Sequence, residues 1–383
     1  MTEKILIALL GLELFGTPIA EELKAQIQEH EKKLFSLARH HDLAAALANA
    51  LDKCGVKVGD EVARALENER LLTLFRYENI CFAQNEVCAA LEEGQIDHIP
   101  LKGAVIRGLY PDPAERTSCD VDILVRPEDA DRAVKLICEG CGYTFTARNY
   151  HDISLHSPGG VHVELHFELG EAIGEVGATY GRVWEYSSPA PERKHERGMT
   201  DAYLIFHNIA HAAYHFLFGG IGVRALTDLS LLKSQLGYDR DELASLLSES
   251  GLETFANELF SLCDAWFFGG ELTEVGGRME KFVLRSGVYG TQDNKVAVAQ
   301  GEKKGKIRYL LSRIFLPYES LKRLYPVLEK HKILMPVCQV RRWFRLLRGG
   351  AARRSAAEVK TTAKLDQARA AEVNRLMADL KLK

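Results

Sequence analysis

Two short segments that alternate apolar and acidic residues constrain the fold more than any other feature of the chain. In TSCDVDILV, residues 117–125, Asp120 and Asp122 interrupt a run that is otherwise apolar and β-branched. Residues i and i+2 of a strand share a face, so both carboxylates lie on one side while Val121 and Ile123 lie on the other. The segment is therefore predicted to be a strand with one core face and one carboxylate face.

A second segment, VHVELHFEL at residues 161–169, shows the same strict alternation. Its apolar residues share one face, and its polar face consists of His162, Glu164, His166 and Glu168. If this strand and the first one are neighbours in a sheet, Glu164 stands beside the two aspartates. The two segments together predict a sheet whose polar face gathers three carboxylates.

A cation is needed to hold these carboxylates together, because at a few ångströms they repel one another and take up protons. Oxygen ligands on rigid strands favour Mg²⁺ or Mn²⁺, which share their coordination with substrate phosphates. Asp120, Asp122 and Glu164 are therefore candidate catalytic and metal-binding residues for phosphoryl transfer. A calcium loop is excluded, because apolar residues stand at 123–125 where an EF-hand needs polar ligands and a glycine. A solvated strand face remains the alternative for D-x-D alone.

Periodicity divides the rest of the chain into helical and mixed regions. Residues 1–93 repeat apolar residues at spacings of three and four, which predicts helices that begin with an amphipathic one. Residues 94–185 are predicted to form a strand, a helix, a strand, a helix and then a pair of strands. Helical spacing returns over residues 186–300, with a looser glycine-rich passage at 269–305, and residues 301–383 are a basic helical C-terminal region. The predicted fold class is α+β, with a small mixed β-sheet core flanked by N-terminal and C-terminal helical regions.

Composition excludes several classes of protein. A chain of 383 residues buries a sufficient core without disulfides or structural metal, and its net charge of −4 gives no overall preference for nucleic acid or anionic membrane. No stretch reaches the roughly 18 uninterrupted apolar residues that a membrane span requires. The eight cysteines are scattered, which favours a reducing, cytoplasmic setting. Cys138 and Cys141 lack a thioredoxin-like context and are predicted to be buried, as is Cys119 before the aspartates.

One segment of the chain carries a large excess of positive charge. Residues 301–348 hold 13 lysines and arginines against three glutamates, and Tyr309, Tyr318, Tyr325 and Trp343 are interleaved with these charges. Such a segment can bind RNA, DNA or another polyanion. It can equally be a set of amphipathic helices with a basic outer face. Both interpretations remain open.

The residues around the aspartates carry a family resemblance. PLKGAVIRGLYPDPAERTSCDVDILV, followed at a distance by VHVELHFEL, combines L-K-G, Y-P, an arginine, D-x-D and a late E-x-H. This arrangement resembles the DNA polymerase β nucleotidyltransferase superfamily, and most closely its bacterial branch of uncharacterised nucleotidyltransferases. The resemblance covers residues 96–169, and a weaker likeness extends into HNIAHAAYHFLF, RALTDLSLL and the basic C-terminal helices. Lys102 and Gly103 stand where the broader superfamily has Gly-Ser, and the distance to Asp120 is longer.

The resemblance implies roles for individual residues. Asp120 and Asp122 would coordinate Mg²⁺ or Mn²⁺ on the nucleotide phosphates, and Glu164 would complete the site. The residues that would contact the nucleotide are Lys102 and Gly103 at the turn before a helix, Arg116, His166 and Asp228. The implied reaction moves a nucleoside monophosphate from an NTP to an acceptor hydroxyl on a small molecule, a protein or RNA. The alternative is a catalytically inactive nucleotide-binding or nucleic-acid-binding protein of the same fold.

Three histidines on one predicted helix need a separate interpretation. His207, His211 and His215 follow one another at intervals of four, so they share a helix face, and two such histidines can bind zinc. However, no glutamate completes an H-E-x-x-H motif, and aromatic residues crowd the segment. The helix is predicted to line the nucleotide or acceptor site, with a zinc hydrolase as the weaker alternative. Arg224 and Asp228, four apart on the next helix, are predicted to pair with each other.

Overall fold

The computed structural model of the chain describes residues 1–170, 172–191, 193–288, 290–302, 315–325, 327–348 and 367–382. The N-terminal part is helical, as the periodicity predicted. Its helices are α1 (Thr2–Phe15), α2 (Glu21–Lys24), α3 (Ile27–His40), α4 (Ala44–Cys54) and α5 (Asp60–Glu93).

Helix α1 differs from its prediction, because it is buried on most sides instead of being amphipathic. Most of its residues from Ile5 to Leu14 are buried against α3, α4 and a later helix, α12 (Glu253–Phe267). Its one buried acid, Glu13, accepts a hydrogen bond from Lys53 Nζ at 2.7 Å. The charge that interrupts the apolar run in the sequence is thus paired inside the fold and does not mark a solvent-facing side.

Helix α5 joins two separate hydrophobic cores. It is 34 residues long, which corresponds to about 50 Å. Near its start, Val62 and Leu66 pack in the core of α1, α3 and α4. Near its end, Val87 and Leu91 pack against the sheet and against α7 (Ala130–Cys141). The helix therefore connects the N-terminal helices to the β-sheet.

A five-stranded mixed sheet forms the centre of the fold. Its strands are β1 (His98–Pro100), β2 (Asp120–Val125), β3 (Thr144–Arg148), β4 (Asp152–His156) and β5 (His162–His166), in the order β1-β2-β5-β4-β3. Only the β2–β5 pair is parallel. Strand β4 was not predicted, because only Ile153 and Leu155 in it are apolar and its position depends on pairing with strands on both sides. The α+β fold class is confirmed.

The two faces of the sheet have different neighbours. Val121, Ile123, Val163 and Leu165 pack on the face that α5 and α7 cover. The opposite face carries Asp120, Asp122 and Leu124, and Leu124 belongs to a larger core built mainly by C-terminal helices. Those helices are α9 (Asp201–Leu217), α10 (Val223–Gln235), α11 (Arg240–Glu249), α12 and α13 (Glu274–Ser286). The carboxylate face of β2 is therefore turned toward the helical region.

The short elements complete this body. Helix α6 (Gly103–Ile106) follows β1, helix α8 (Val176–Tyr180) follows β5, and strands β6 (Ser187–Pro189) and β7 (Arg197–Met199) form a separate two-stranded sheet before α9. The prediction of a loose glycine-rich passage at 269–305 is wrong over the described residues, most of which form α13 and α14 (Gln292–Glu302). Both helices pack on a distant helix, α18 (Gln367–Asp379), which supplies apolar contacts that no local pattern indicates.

The C-terminal region is described in two parts. The first contains α15 (Tyr318–Leu324), α16 (Val327–Lys330) and α17 (Met335–Arg348), packed around Leu321, Leu328 and Cys338. The second is α18 (Gln367–Asp379). Five of the predicted basic positions lie at 303–314, outside the described residues, as does the start of the alanine-rich tail. The division of the chain into four domains remains a prediction.

Two further expectations concern cysteines and membranes. Cys138 and Cys141 are half-buried thiols in α7, whereas Cys119 is exposed, so the predicted burial of Cys119 is wrong. Cys119 precedes the first residue of β2 and so lies outside the packed part of the strand. Among the described residues, none of the helices combines the length and apolar character needed to cross a bilayer.

Candidate active site

Strands β2 and β5 align the acids of the two sequence segments in rows. In their parallel register Asp122 is opposite Glu164, and Asp120 is opposite His162. Because opposite residues of neighbouring strands project to the same face, the side chains gather on one side of the sheet. The structure thus brings together the three carboxylates that were predicted from the sequence to form a metal site.

The donor atoms of these side chains are close enough to share a cation. Those of Asp122, Glu164 and His166 lie within 4.8 Å of one another, and so do those of Asp120, His162 and Glu164. Glu164 belongs to both groups, as the carboxylate of a two-cation site would. The residues present therefore fit the implied divalent metal, with His162 and His166 as additional donors.

Histidine and lysine side chains neutralise Asp122. His166 Nε2 lies 2.9 Å from Asp122 Oδ1 and 3.5 Å from Glu164 Oε2, and Lys102 Nζ donates to Asp122 Oδ1 at 3.3 Å. Burial favours the neutral acid, but Lys102 and His166 outweigh it and hold the pKa of Asp122 well below its usual range. Although burial also opposes charge on His166, its hydrogen bonds to Asp122 and Glu164 raise its pKa to about 9.

Asp120 is in a different position. Burial, followed by the negative charge of Asp122, raises the pKa of Asp120, and the charge of Glu164 adds to this. A cation at the carboxylates would reverse the effect, because it favours the charged form of each acid. The pKa values of Asp120 and Asp122 are therefore shifted in opposite directions, although both carboxyl groups lie on the same strand face.

The Lys102–Gly103 turn has an unusual backbone. Lys102 has φ +48° and ψ −118°, in a region that side chains rarely adopt, and it immediately precedes Gly103. A Cβ on Gly103 would lie 3.0 Å from Arg116 Nη1 and from Ser118 Oγ, so glycine permits this close approach. The helix that follows, α6, has only one turn.

Arg116 and Asp228 bind each other. Arg116 Nε donates to Asp228 Oδ1 at 3.2 Å and Nη2 donates to Oδ2 at 2.8 Å, while Tyr110 Oη donates to Oδ1 at 2.7 Å. Arg224 instead bonds Asp42 Oδ2 at 2.9 Å and Thr117 Oγ1 at 2.9 Å. The predicted Arg224–Asp228 pair is therefore wrong. Arg116, in the loop before β2, binds the Asp228 carboxylate, and Arg224 binds Asp42 instead.

A cleft beside the carboxylates is lined by α9 and α10. Its polar lining includes Lys102, Arg116, His211, His215 and Arg224, and its empty space, with the open mouth included, is about 720 Å³. Ile221, Leu229, Leu259 and Val288 add an apolar wall. The cleft thus has a polar and an apolar wall, and both of its arginines are paired to acids as described above.

The histidines of α9 do not form a metal group. The rings of His207 and His211 are 6.3 Å apart and those of His211 and His215 are 4.3 Å apart. None of the three belongs to a set of three close donor atoms among the described residues. Burial, and then the neighbouring His211 and Lys102, lower the pKa of His207 to about 3, so its imidazole is neutral. The zinc hydrolase alternative has no support from this geometry.

Sequence reasoning missed several residues that shape the site. The His151 ring stacks on His166 with centroids 5.7 Å apart, and Asp42 and Thr117 hold Arg224. Asp42 lies 75 residues before Thr117, so no local pattern links the two. His151 lies in the turn between β3 and β4, and because β4 was not predicted, its position over the site could not be inferred.

Comparison with known proteins places the chain in a family. A family model described as uncharacterised nucleotidyltransferase matches residues 28–268. The chain belongs to this family. The match to the uncharacterised nucleotidyltransferase family covers more than half of the sequence and includes the carboxylates, the Lys102–Gly103 turn and Asp228, which confirms the resemblance seen in the sequence motifs. A nucleotidyl-transfer function is therefore supported.

Two other comparisons add little. The solution structure of the antibiotic-resistance factor ANT(2'')-Ia is similar over 48% of this chain and 96% of that chain, at 13% identity and a TM-score of 0.34. We draw no argument from a likeness this distant. No curated protein matches the chain.

Proposed function

We propose that the protein is a divalent-metal-dependent nucleotidyltransferase that moves a nucleoside monophosphate from an NTP to an acceptor hydroxyl. Membership of the nucleotidyltransferase family supports the class of reaction. The observation that carries the proposal is the register of β2 and β5, which sets Glu164 opposite Asp122, with Asp120 two residues away on the same face.

The metal requirement follows from the donor set. Asp120, Asp122 and Glu164 would hold Mg²⁺ or Mn²⁺, for which carboxylate oxygens are the preferred ligands. When bound, the cation would supply positive charge to the phosphates and lower the pKa of the attacking hydroxyl. It would also remove the electrostatic reason for Asp120 to hold a proton.

Neighbouring side chains fit a nucleotide substrate. Lys102 borders both Asp122 and the cleft, so its ammonium can contact a phosphate oxygen that lies near the carboxylates. Because Gly103 has no side chain, the Lys102–Gly103 turn lies close to the paired Arg116 and to Ser118 just before β2. The apolar wall of the cleft suits a base or an apolar acceptor, and the acceptor can be a small molecule, a protein or RNA.

A catalytically inactive binder is the second candidate. One observation favours it: Lys102 and His166 already neutralise Asp122, so this carboxylate is stable without a metal. A nucleic acid is a possible ligand of such a binder, through the basic residues of the 301–348 segment. Binding of RNA that weakens steeply with salt and survives the loss of both aspartates would support this candidate.

Label transfer from α-³²P-labelled NTPs tests the proposal. Each NTP is incubated with Mg²⁺ or Mn²⁺, a cell lysate and either the wild-type protein or Asp120→Asn/Asp122→Asn, and label is followed into protein, RNA and small molecules. We expect transfer by the wild type and a loss of at least about 100-fold in the double variant. The matched control is Glu168→Gln, which removes an exposed acid just beyond β5 and should retain transfer.

The outcomes separate the two candidates. No transfer with any NTP, together with metal-dependent NTP binding by equilibrium titration, would favour the inactive binder. Transfer that persists in the double variant would overturn the assignment of the carboxylates.

A further inference from the structure

A second cluster of metal-ligating side chains lies apart from the carboxylate face. Helix α5 contributes Cys88, strand β1 contributes His98, and the loop just before β7 contributes Glu196. One donor atom from each lies within 4.8 Å of the other two. Cys88 is 1% exposed and His98 is 0% exposed. A thiol, an imidazole and a carboxylate from three separate segments thus meet in the interior.

The imidazole of His98 is oriented as a metal ligand would be. Its Nδ1 lies 2.9 Å from the carbonyl oxygen of Ile96, so the hydrogen is on Nδ1 and the Nε2 lone pair points away. Nε2 is buried and has no hydrogen-bond partner among the described residues; Glu196 Oε2 is 3.7 Å from it. A buried acceptor without a partner is costly. Histidines that bind metals usually donate their other N–H to a carbonyl, as His98 does.

Glu196 is also held from outside the cluster. Arg193 Nη1 donates to Glu196 Oε2 at 2.9 Å, which fixes the carboxylate. Hydrogen-bonded carboxylates are common among metal ligands. A doubly charged cation bound by one thiolate, one carboxylate and a neutral imidazole carries no net charge, so its burial is not prohibitive.

We propose that Cys88, His98 and Glu196 bind a Zn²⁺ ion as three protein ligands. Sulfur and nitrogen donors together select zinc over magnesium or calcium. Binding exchanges the thiol proton of Cys88 for the metal, and the proton leaves to solvent. Without a metal, burial and the charge of Glu196 raise the pKa of this thiol to about 12, so the group would be an inert buried thiol.

This zinc would tie together the segments that enter the candidate active site. His98 lies four residues before Lys102, and Glu196 lies shortly before Thr200, whose side chain caps the start of α9. The loop that carries Glu196 already contacts β1, because the backbone N–H of His98 donates a hydrogen bond to His195 O at 2.9 Å. The inference does not depend on the proposed nucleotidyl transfer.

Metal analysis of the purified full-length chain tests the inference. After dialysis, we expect about one equivalent of zinc by mass spectrometry, and a near-ultraviolet thiolate-to-cobalt absorption band when Co²⁺ replaces zinc. Cys88→Ser should lose the band, and Glu196→Gln should weaken zinc binding by at least about tenfold. The matched control is Cys263→Ser, a fully buried thiol in α12 whose pKa is likewise raised to about 12, chiefly by burial.

Two further variants make the result decisive. Asp120→Asn/Asp122→Asn should keep the zinc, which separates this cluster from the carboxylate site. If Cys88→Ser does not fold, Glu196→Gln, at a half-buried position in the loop before β7, decides instead. Absence of zinc and of the cobalt band in the wild type, or a band that persists in Cys88→Ser, would show that Cys88 is only a buried thiol and that His98 and Glu196 form an ordinary ion pair.

Discussion

The ion pair of Arg116 and Asp228 is almost fully buried at the candidate active site. The two side chains are only 9% and 8% exposed, and their two parallel hydrogen bonds are joined by one from Tyr110. A bidentate guanidinium–carboxylate pair satisfies the hydrogen-bonding groups of both charges. Removing one partner leaves the other charged and buried, which costs far more than the pair itself contributes.

Replacing Arg116 by methionine should therefore destabilise the protein strongly. We expect the free energy of unfolding to fall by roughly 3–5 kcal/mol, measured by urea denaturation. Adding Asp228→Asn should recover part of the loss, because it removes the unpaired charge and keeps a hydrogen-bond partner for Tyr110. As a control, Arg148→Met breaks the exposed pair with Asp131 and should cost less than about 1 kcal/mol. A double variant no more stable than Arg116→Met would contradict this account.

A second residue-scale prediction concerns the Lys102 side chain. Lys102→Met removes the ammonium beside Asp122 and leaves the turn before α6 otherwise unchanged in size. If the lysine contacts a phosphate oxygen, NTP binding should weaken by about tenfold or more, since charge-assisted hydrogen bonds are worth roughly 1.5–3 kcal/mol. Equilibrium titration with an NTP and Mg²⁺ measures this. Unchanged affinity would mean that the Lys102 ammonium pairs with Asp122 and does not contact the nucleotide.

At the scale of elements, one histidine joins three helices. His41 follows α3; its Nδ1 accepts a hydrogen bond from the backbone N–H of Val223 at the start of α10, and its Nε2 donates to Leu284 O in α13, both at 3.2 Å. Only a neutral imidazole can make both bonds. Burial outweighs the bond to Leu284 and lowers the pKa of His41 to about 4.

The stability of this junction should depend on pH. Because the folded-state pKa of about 4 lies below the unfolded value near 6.5, the stabilisation is complete above pH 6.5 and is lost as the pH falls toward 4. The loss should approach about 3 kcal/mol, measured by urea denaturation at pH 7 and at pH 4.5. His41→Gln should reduce this pH dependence, whereas His331→Gln, at an exposed position, should preserve it. Equal dependence in both variants would exclude His41 as the cause.

Elements with strong local patterns were predictable from the sequence, and long-range contacts were not. Asp120, Asp122 and Glu164 were placed on strand faces by strict alternation. Helix α1 was misjudged because its surroundings, α3, α4 and α12, come from distant parts of the chain. The Arg116–Asp228 pair spans 112 residues, and Asp228 was assigned Arg224 as its partner because sequence spacing indicates only neighbours within one element.

At the scale of the whole molecule, α18 completes the large helical core. Ala370, Val373, Leu376, Met377 and Leu380 are buried with residues of α13 and α14. Asn374 Nδ2 donates to Ala297 O at 2.9 Å, and Arg278 pairs with Asp379 at 2.7 Å. A segment near the end of the sequence therefore supports helices about 80 residues earlier.

A chain that ends at residue 366 should be markedly less stable. It lacks the buried side chains of Val373, Leu376 and Met377 in α18 and of Leu380 just after it, each worth roughly 1.5–3 kcal/mol, and exposes their partners on α13 and α14. We expect a lower unfolding midpoint in urea and faster proteolysis at these two helices. Asp379→Asn is the control, since it removes only the partly exposed ion pair with Arg278 and should cost less than about 1 kcal/mol. An unchanged midpoint in the shortened chain would contradict this packing.

The pairing of β2 with β5 also affects when the site can form during synthesis. Helix α7 and strands β3 and β4 lie between the two strands in sequence, so β2 leaves the ribosome long before its parallel partner. Until residue 166 is available, Asp120 and Asp122 have neither Glu164 nor His166 beside them. Arg116 remains without its partner for still longer, because Asp228 is synthesised 112 residues later. A chain synthesised only as far as β4 therefore holds its aspartates without the groups that would complete the candidate site.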